Sequence, residues 1–163
     1  MTEPKRMFDV VMKYFGDSPH VTTQFTGRPI LRFTHEGNNG RWICIAHCRE
    51  SEDRFIFYSI GVAASPPERR IALAEFLTRA NFGLLMGNFE MDMDDGEVRF
   101  KTSIDVEGDR LTTALINQLV RVNIEMMDKY LPGILAVAHQ EIDPLTAIIA
   151  VEGPQTKRSE VSD

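Results

Sequence analysis

The chain is poor in the residues that announce chemistry. Only two of its 163 residues are cysteine, one is tryptophan and four are histidine, and no Asn-x-Ser/Thr sequon occurs. Cys44 and Cys48 lie four apart in Trp42-Ile43-Cys44-Ile45-Ala46-His47-Cys48, a segment that reads as a strand. Strand spacing puts both thiols on one face about 13 Å apart, beyond the ~7 Å Cα limit for a disulfide. They are expected to be free thiols, which suits a reducing compartment. Long hydrophobic runs are missing too. The richest stretches, Leu115–Val122 and Ile134–Ala138, fall short of the ~18–20 residues that cross a bilayer. Near the start, Asp9, Lys13 and Asp17 interrupt every apolar run, so no signal-peptide core is visible. A cytoplasmic location without membrane attachment is expected. A surplus of positive charge is absent: 18 Lys+Arg face 24 Asp+Glu, net −6, which argues against a nucleic-acid partner. No G-x-G-x-x-G or P-loop pattern appears, no serine sits in a nucleophile elbow, and no carboxylate pair stands out for acid–base work. The expectation is a non-enzyme with no catalytic residue, no cofactor and no metal.

What is present is ordinary globular composition, 43% hydrophobic and 26% charged, in a length that suits one domain with its own core. Residues 1–152 are expected to form that domain, and the polar residues 153–163 a disordered tail. Met7, Val10, Val11 and Tyr14 are at helical spacing, before Gly16. Four β-like runs follow, Val21–Thr26, Ile30–His35, Arg41–Arg49 and Arg54–Ile60, joined by short turns as in an antiparallel meander. Ser65-Pro66-Pro67-Glu68 has the form of a capping box opening a helix that runs to about Asn81. Phe89, Met91 and Met93 alternate with acids, and Val98, Phe100 and Thr102 with cations, about Asp95-Gly96. A two-residue turn there pairs Met93 with Val98, Asp92 with Arg99, Met91 with Phe100 and Glu90 with Lys101. From about Leu111 a long helix carries two adjacent apolar lines, and Pro132-Gly133 is expected to kink or end it before a second piece at Ile134–Ala138. A last short helix is expected over Pro144–Val151. The fold class is therefore α+β, an antiparallel sheet flanked by helices in the order α-β-β-β-β-α-β-β-α-α.

Five groups of residues bear on chemistry or binding. Asp92, Asp94 and Gly96 resemble the start of a calcium loop, but the glycine falls fifth rather than sixth and no glutamate stands at position twelve; an acidic hairpin turn is the simpler reading. Cys44, His47 and Cys48 include soft ligands, yet a strand points His47 away from both thiols and no second cysteine pair completes a site. Met86, Met91, Met93, Met126 and Met127 read as packing residues or an adaptable binding surface. Trp42, Phe55 and Phe57 read as sheet-face packing residues or a peptide-binding platform. Arg69-Arg70 read as solvated charges.

Val98-Arg99-Phe100-Lys101-Thr102-Ser103-Ile104-Asp105, Ala74–Asn81, Gly87-Asn88-Phe89-Glu90-Met91 and the long helix ending in Tyr130-Leu131-Pro132-Gly133 together resemble the YbjN-domain family. The resemblance runs from about Lys5 to Val151 and is closest to short single-domain members of cyanobacteria. It implies a curved antiparallel sheet flanked by helices, similar to the dimeric chaperones of type III secretion, in a family described as sensory-transduction regulators. It carries no catalytic residue over. The reading is a homodimeric, non-enzymatic module that binds another protein in a regulatory or chaperone-like role. Its expected partner or dimer surface is Leu119, Val120 and Met127 of the long helix with Trp42, Phe55 and Phe57. The alternative is a small-molecule sensor or cryptic enzyme with a pocket between sheet and helix.

Overall fold

The computed structural model describes residues 6–154; the expected tail lies outside these from 155 on. Helix α1 (Met7–Gly16) leads into strands β1 (Thr23–Gln24), β2 (Ile30–Glu36), β3 (Arg41–Arg49) and β4 (Arg54–Ile60). Helix α2 (Arg70–Asn81), strands β5 (Asn88–Met91) and β6 (Val98–Asp105), and helices α3 (Thr113–His139) and α4 (Pro144–Glu152) complete the chain. The strands form one antiparallel sheet ordered β1-β2-β3-β4-β6-β5. The element order is the one expected, with β1 shortened to two residues.

Side chains alternate across a strand, and one parity of this sheet is almost wholly buried: Leu31 and Phe33 on β2, Cys44 and Ala46 on β3, Val98 and Phe100 on β6. The helices cover that face. Phe15 of α1 packs on Phe33 and Phe57, ring centroids 5.3 and 6.2 Å away. Tyr130 of α3 meets both Phe89 of the sheet and Phe76 of α2, so α2 rides on α3 as a further layer.

The β5–β6 register differs from expectation. Met91 pairs with Val98, Glu90 with Arg99, Phe89 with Phe100 and Asn88 with Lys101, a slip of two residues that keeps every side chain on its expected face. The turn spans Asp92–Glu97 because side chains compete for the backbone. The Asp92 carboxylate accepts from the Asp94 N–H (2.8 Å), and that of Asp95 from the Glu97 N–H (2.8 Å). Gly96, at φ +82°, lies so close to Ser65 that a Cβ would overlap its backbone. This contact also explains the missing capping box. Ser65 makes no side-chain cap, and α2 begins after a 3₁₀ turn at Pro67–Arg69. The Ser65 N–H instead donates to the Gly96 carbonyl (2.9 Å), and its own carbonyl accepts from Arg70 (3.2 Å). Arg69 and Arg70 are staples rather than solvated charges. Arg69 donates to the carbonyls of Val137 and Ile142, and Arg70 also to those of Met93 and Asp94.

Helix α3 continues through Pro132 as one element from Thr113 to His139, so it does not end there and no separate piece begins at Ile134. A proline leaves the carbonyl four residues earlier without its helical donor, and here that carbonyl belongs to Asp128. The Asn39 side chain supplies the replacement, donating to it at 3.0 Å, while the Asn39 N–H donates to the Asp128 carboxylate at 2.8 Å. The β2–β3 turn thus mends the helix. Gly133 stays because Phe76 fills the space a Cβ would take. At the other end of the chain, Glu50 accepts from the Met7 and Phe8 N–H groups (3.2 and 2.9 Å), placing a carboxylate at the start of α1.

Candidate interaction surfaces

The six expected interface residues are core. Trp42, Phe55, Phe57 and Met127 are 0% exposed, and Leu119 and Val120 are 5% exposed. The second apolar line of α3 is spent inside the chain, because α1, α2 and α4 pack around the helix as well as the sheet. None of the six offers a side-chain surface to a partner in this conformation.

Inside that core one polar group joins α3 to the sheet. Asn123, fully buried, donates from Nδ2 to the carbonyls of Phe57 (2.9 Å) and Phe100 (3.1 Å) and to Thr102 Oγ1 (3.1 Å). The Thr102 hydroxyl in turn donates to the Leu119 carbonyl (3.1 Å). The Asn123 Oδ1 has no partner among the described residues. Both cysteines are buried and free, and burial pushes each thiol up to about 12, leaving them protonated and unreactive at neutral pH. His47 does point away from them, and no cluster of three or more metal-ligating side chains occurs among the described residues.

Two surfaces stay apolar where solvent meets them. The first is the outer face of the sheet. A one-sided antiparallel sheet ordinarily turns polar residues outward, yet the two central strands here turn out Ile43 against Ile60, Ile45 against Tyr58 and His47 against Ile56, all half-buried. Among the described residues no helix covers them. Around this ladder stand Arg32, Arg41, Arg49, Arg54, Arg99 and Lys101 against only Glu36, Glu90 and Asp105, so the outward strand positions carry net +3 on a chain of net −6. Glu90 bridges Arg99 (2.7 Å) and Lys101, and Arg54 binds Asp105 (3.1 Å). Arg32 and Arg41 are exposed with no ion pair among the described residues. Arg99 also lies over the Tyr58 ring at 4.7 Å. Burial first, then Arg49 and Arg28, pushes His47 below its ordinary value. Sequence could have flagged this face: Trp42–Ala46 is apolar at every position, the pattern of a strand with two apolar sides.

The second surface is the outside of the α2–α4 layer. Ile71 is 74% exposed, Leu85 fully exposed, and Met86, Leu145 and Ile149 39–46% exposed. Helices α2 and α4 pack on one another, and the loop bearing Leu85 follows α2 directly. Between sheet and helix there is also an apolar cleft of about 110 Å³, lined by Val98, Met127, Leu131 and Ile134 among others. Among the described residues no helix is long and apolar enough to cross a membrane.

Comparison with known proteins agrees with this architecture. The crystal structure of YbjN from E. coli is 16% identical, with a TM-score of 0.59, covering 84% of this chain and 94% of that one. A chain of the HopA1-SchA chaperone–effector complex is 14% identical with a TM-score of 0.41, covering 75% and 87%. No curated protein matches the sequence. The family model YbjN, described as "Putative bacterial sensory transduction regulator", matches residues 19–136, and the chain belongs to the YbjN family.

Proposed function

We propose that the chain is a regulatory, non-enzymatic protein-interaction module that pairs with itself through the outside of its α2–α4 layer. The family's description supports the regulatory part. The observation that carries the pairing is the exposure of Ile71, Leu85, Met86, Leu145 and Ile149 on adjoining elements. An apolar patch is complementary to a copy of itself, which is what a two-fold interface requires. At roughly 150–200 Å² per large side chain, these five expose on the order of 500 Å² of the ~800 Å² per partner found in a standard interface. Loop backbone and neighbouring side chains contribute the remainder. Light scattering across a concentration series tests this reading: a mass of twice the 18.5 kDa chain is expected, and a monomeric mass throughout overturns it.

Small-molecule sensing ranks second. An open apolar cleft of about 350 Å³ lined by Tyr14, His20, His35, Val120 and Ile124 only just reaches the ~300–1,000 Å³ of ordinary ligand pockets, and the one lined by Val98, Met127, Leu131 and Ile134, at about 110 Å³, falls well below it. An apolar group of about benzene size is the most the smaller cleft would hold.

A further inference from the structure

We infer that the outer face of the sheet is a second binding surface, whose occupant is a segment of a partner protein carrying apolar residues flanked by aspartate or glutamate. The inference rests on the interaction-module reading and names the partner's chemistry. Two independent observations meet on this face. The first is the departure from polar-outward alternation, concentrated in the two central strands, where Ile43/Ile60, Ile45/Tyr58 and His47/Ile56 form three consecutive cross-strand pairs, with Ile30 of β2 beside His47. Pairs on one face recur every ~6.8 Å, so the apolar strip is about 14 Å long, enough to seat two or three apolar side chains of a partner. The second is charge. Flanking strands β2 and β6 put Arg32 beside Ile45, Arg99 beside Ile60 and Lys101 beside Tyr58, while the chain as a whole is acidic.

Sign and placement together select the occupant. A second copy of this chain is the weaker candidate, because the exposed apolar residues of its α2–α4 layer are those proposed above for self-pairing, and its others, among them Met12, Val21, Phe25, Val62 and Met93, sit on or beside α1, β1, β4 and β5. A nucleic acid would leave the isoleucines unsatisfied, since its phosphates meet only the basic rim. An acidic, apolar segment satisfies both parts, with the isoleucines supplying burial and Arg32 and Arg41 supplying charge that no carboxylate among the described residues pairs with.

The test uses the full chain and short fluorescein-labelled peptides read by anisotropy. One alternates leucine with glutamate, a second leucine with lysine, and a third serine with glutamate. Two double variants remove one property each: Arg32→Glu with Arg41→Glu reverses the unpaired charge, and Ile45→Thr with Ile60→Thr removes apolar surface while keeping β-branched residues in the strands. Saturable binding of the leucine–glutamate peptide alone is expected. It should weaken about tenfold or more in either double variant, and likewise when salt is raised from roughly 50 to 500 mM, where screening shortens electrostatic reach. The inference is overturned if that peptide does not bind, if both variants bind it as well as the parent, or if the lysine peptide binds equally. Light scattering on the same samples separates the two readings. A dimer that does not bind the peptide removes this inference alone, and a monomer that binds the peptide removes the self-pairing alone.

Discussion

Asn123→Asp exchanges a donor for an acceptor at the most demanding polar position of the core. The Nδ2 of Asn123 faces three acceptors, the carbonyls of Phe57 and Phe100 and the Thr102 hydroxyl oxygen, within 2.9–3.1 Å, and the residue is fully buried. An ionised aspartate would meet those oxygens with no donor and no water. The variant therefore folds only with its carboxyl protonated. Holding a group of ordinary pKa near 3.9 neutral at pH 7 costs about 4 kcal/mol, at 1.36 kcal/mol per unit. A neutral carboxyl has a single O–H in place of two N–H groups, which adds about 1 kcal/mol. The expected loss is about 5 kcal/mol at pH 7, a large part of the ~5–15 kcal/mol of a typical domain. Because the unfolded aspartate ionises above pH ~4 while the folded one does not, the penalty grows with pH and shrinks to about 1 kcal/mol near pH 4. Urea titrations followed by the emission of the single, buried Trp42 measure this at both pH values. Asn123→Leu, which introduces no charge, should cost about 1–2 kcal/mol with no pH dependence. An Asn123→Asp variant as stable as the parent at pH 7, or a penalty flat in pH, refutes the reasoning.

Other perturbations follow from the same contacts. Asn39→Ala should cost about 0.5–1.5 kcal/mol, since it removes the donor that replaces Pro132's missing N–H. Its cost should fall in a Pro132→Ala background, a coupling that a double-mutant cycle reads directly. Acid should destabilise the fold from about pH 6.5 downward. His20, His35 and His47 all sit below the ordinary 6.5, chiefly through burial, with His20 adding repulsion at His35. Below pH ~6.5 the unfolded chain takes up protons the folded one resists, so stability falls as pH drops, and His35→Gln should flatten the trend in thermal melts. A separate loss is expected below pH 4.5. At Glu90 burial favours the neutral acid, but Lys101 and Arg99 prevail and hold its carboxyl below that ordinary value.

Much of the fold is legible in residue pattern because each element carries its own signal. Alternation marks the strands, the two lines of Leu115–Leu131 mark α3, and the sidedness of the β5–β6 hairpin survives a two-residue slip because strand periodicity is two. What escapes is set by partners distant in sequence. Asn39 bonds the Asp128 carbonyl that Pro132 leaves open, the Gly96 carbonyl takes the Ser65 N–H, and Glu50 caps α1, and none of these pairings leaves a trace in local spacing. The six residues expected at an interface are core for the same reason. Two apolar lines on α3 exceed what one sheet contact needs, but they do not exceed what a sheet and three further helices bury. The surplus apolar surface lies instead at Leu85 and Ile149, whose neighbours along the chain look ordinary, and on the Ile43–Ile60 ladder, where an unbroken apolar run was the available sign.

The most direct test of self-pairing through the α2–α4 layer is the solution mass of Leu85→Glu with Leu145→Glu beside the parent chain. Both positions are exposed, Leu85 fully and Leu145 at 46%, so the charges should leave each chain folded, unlike Val120→Glu in the core. The parent at twice 18.5 kDa and the double variant at the single-chain mass is the outcome predicted. A double variant that keeps the dimer mass, or a parent that is monomeric at every concentration, contradicts the account.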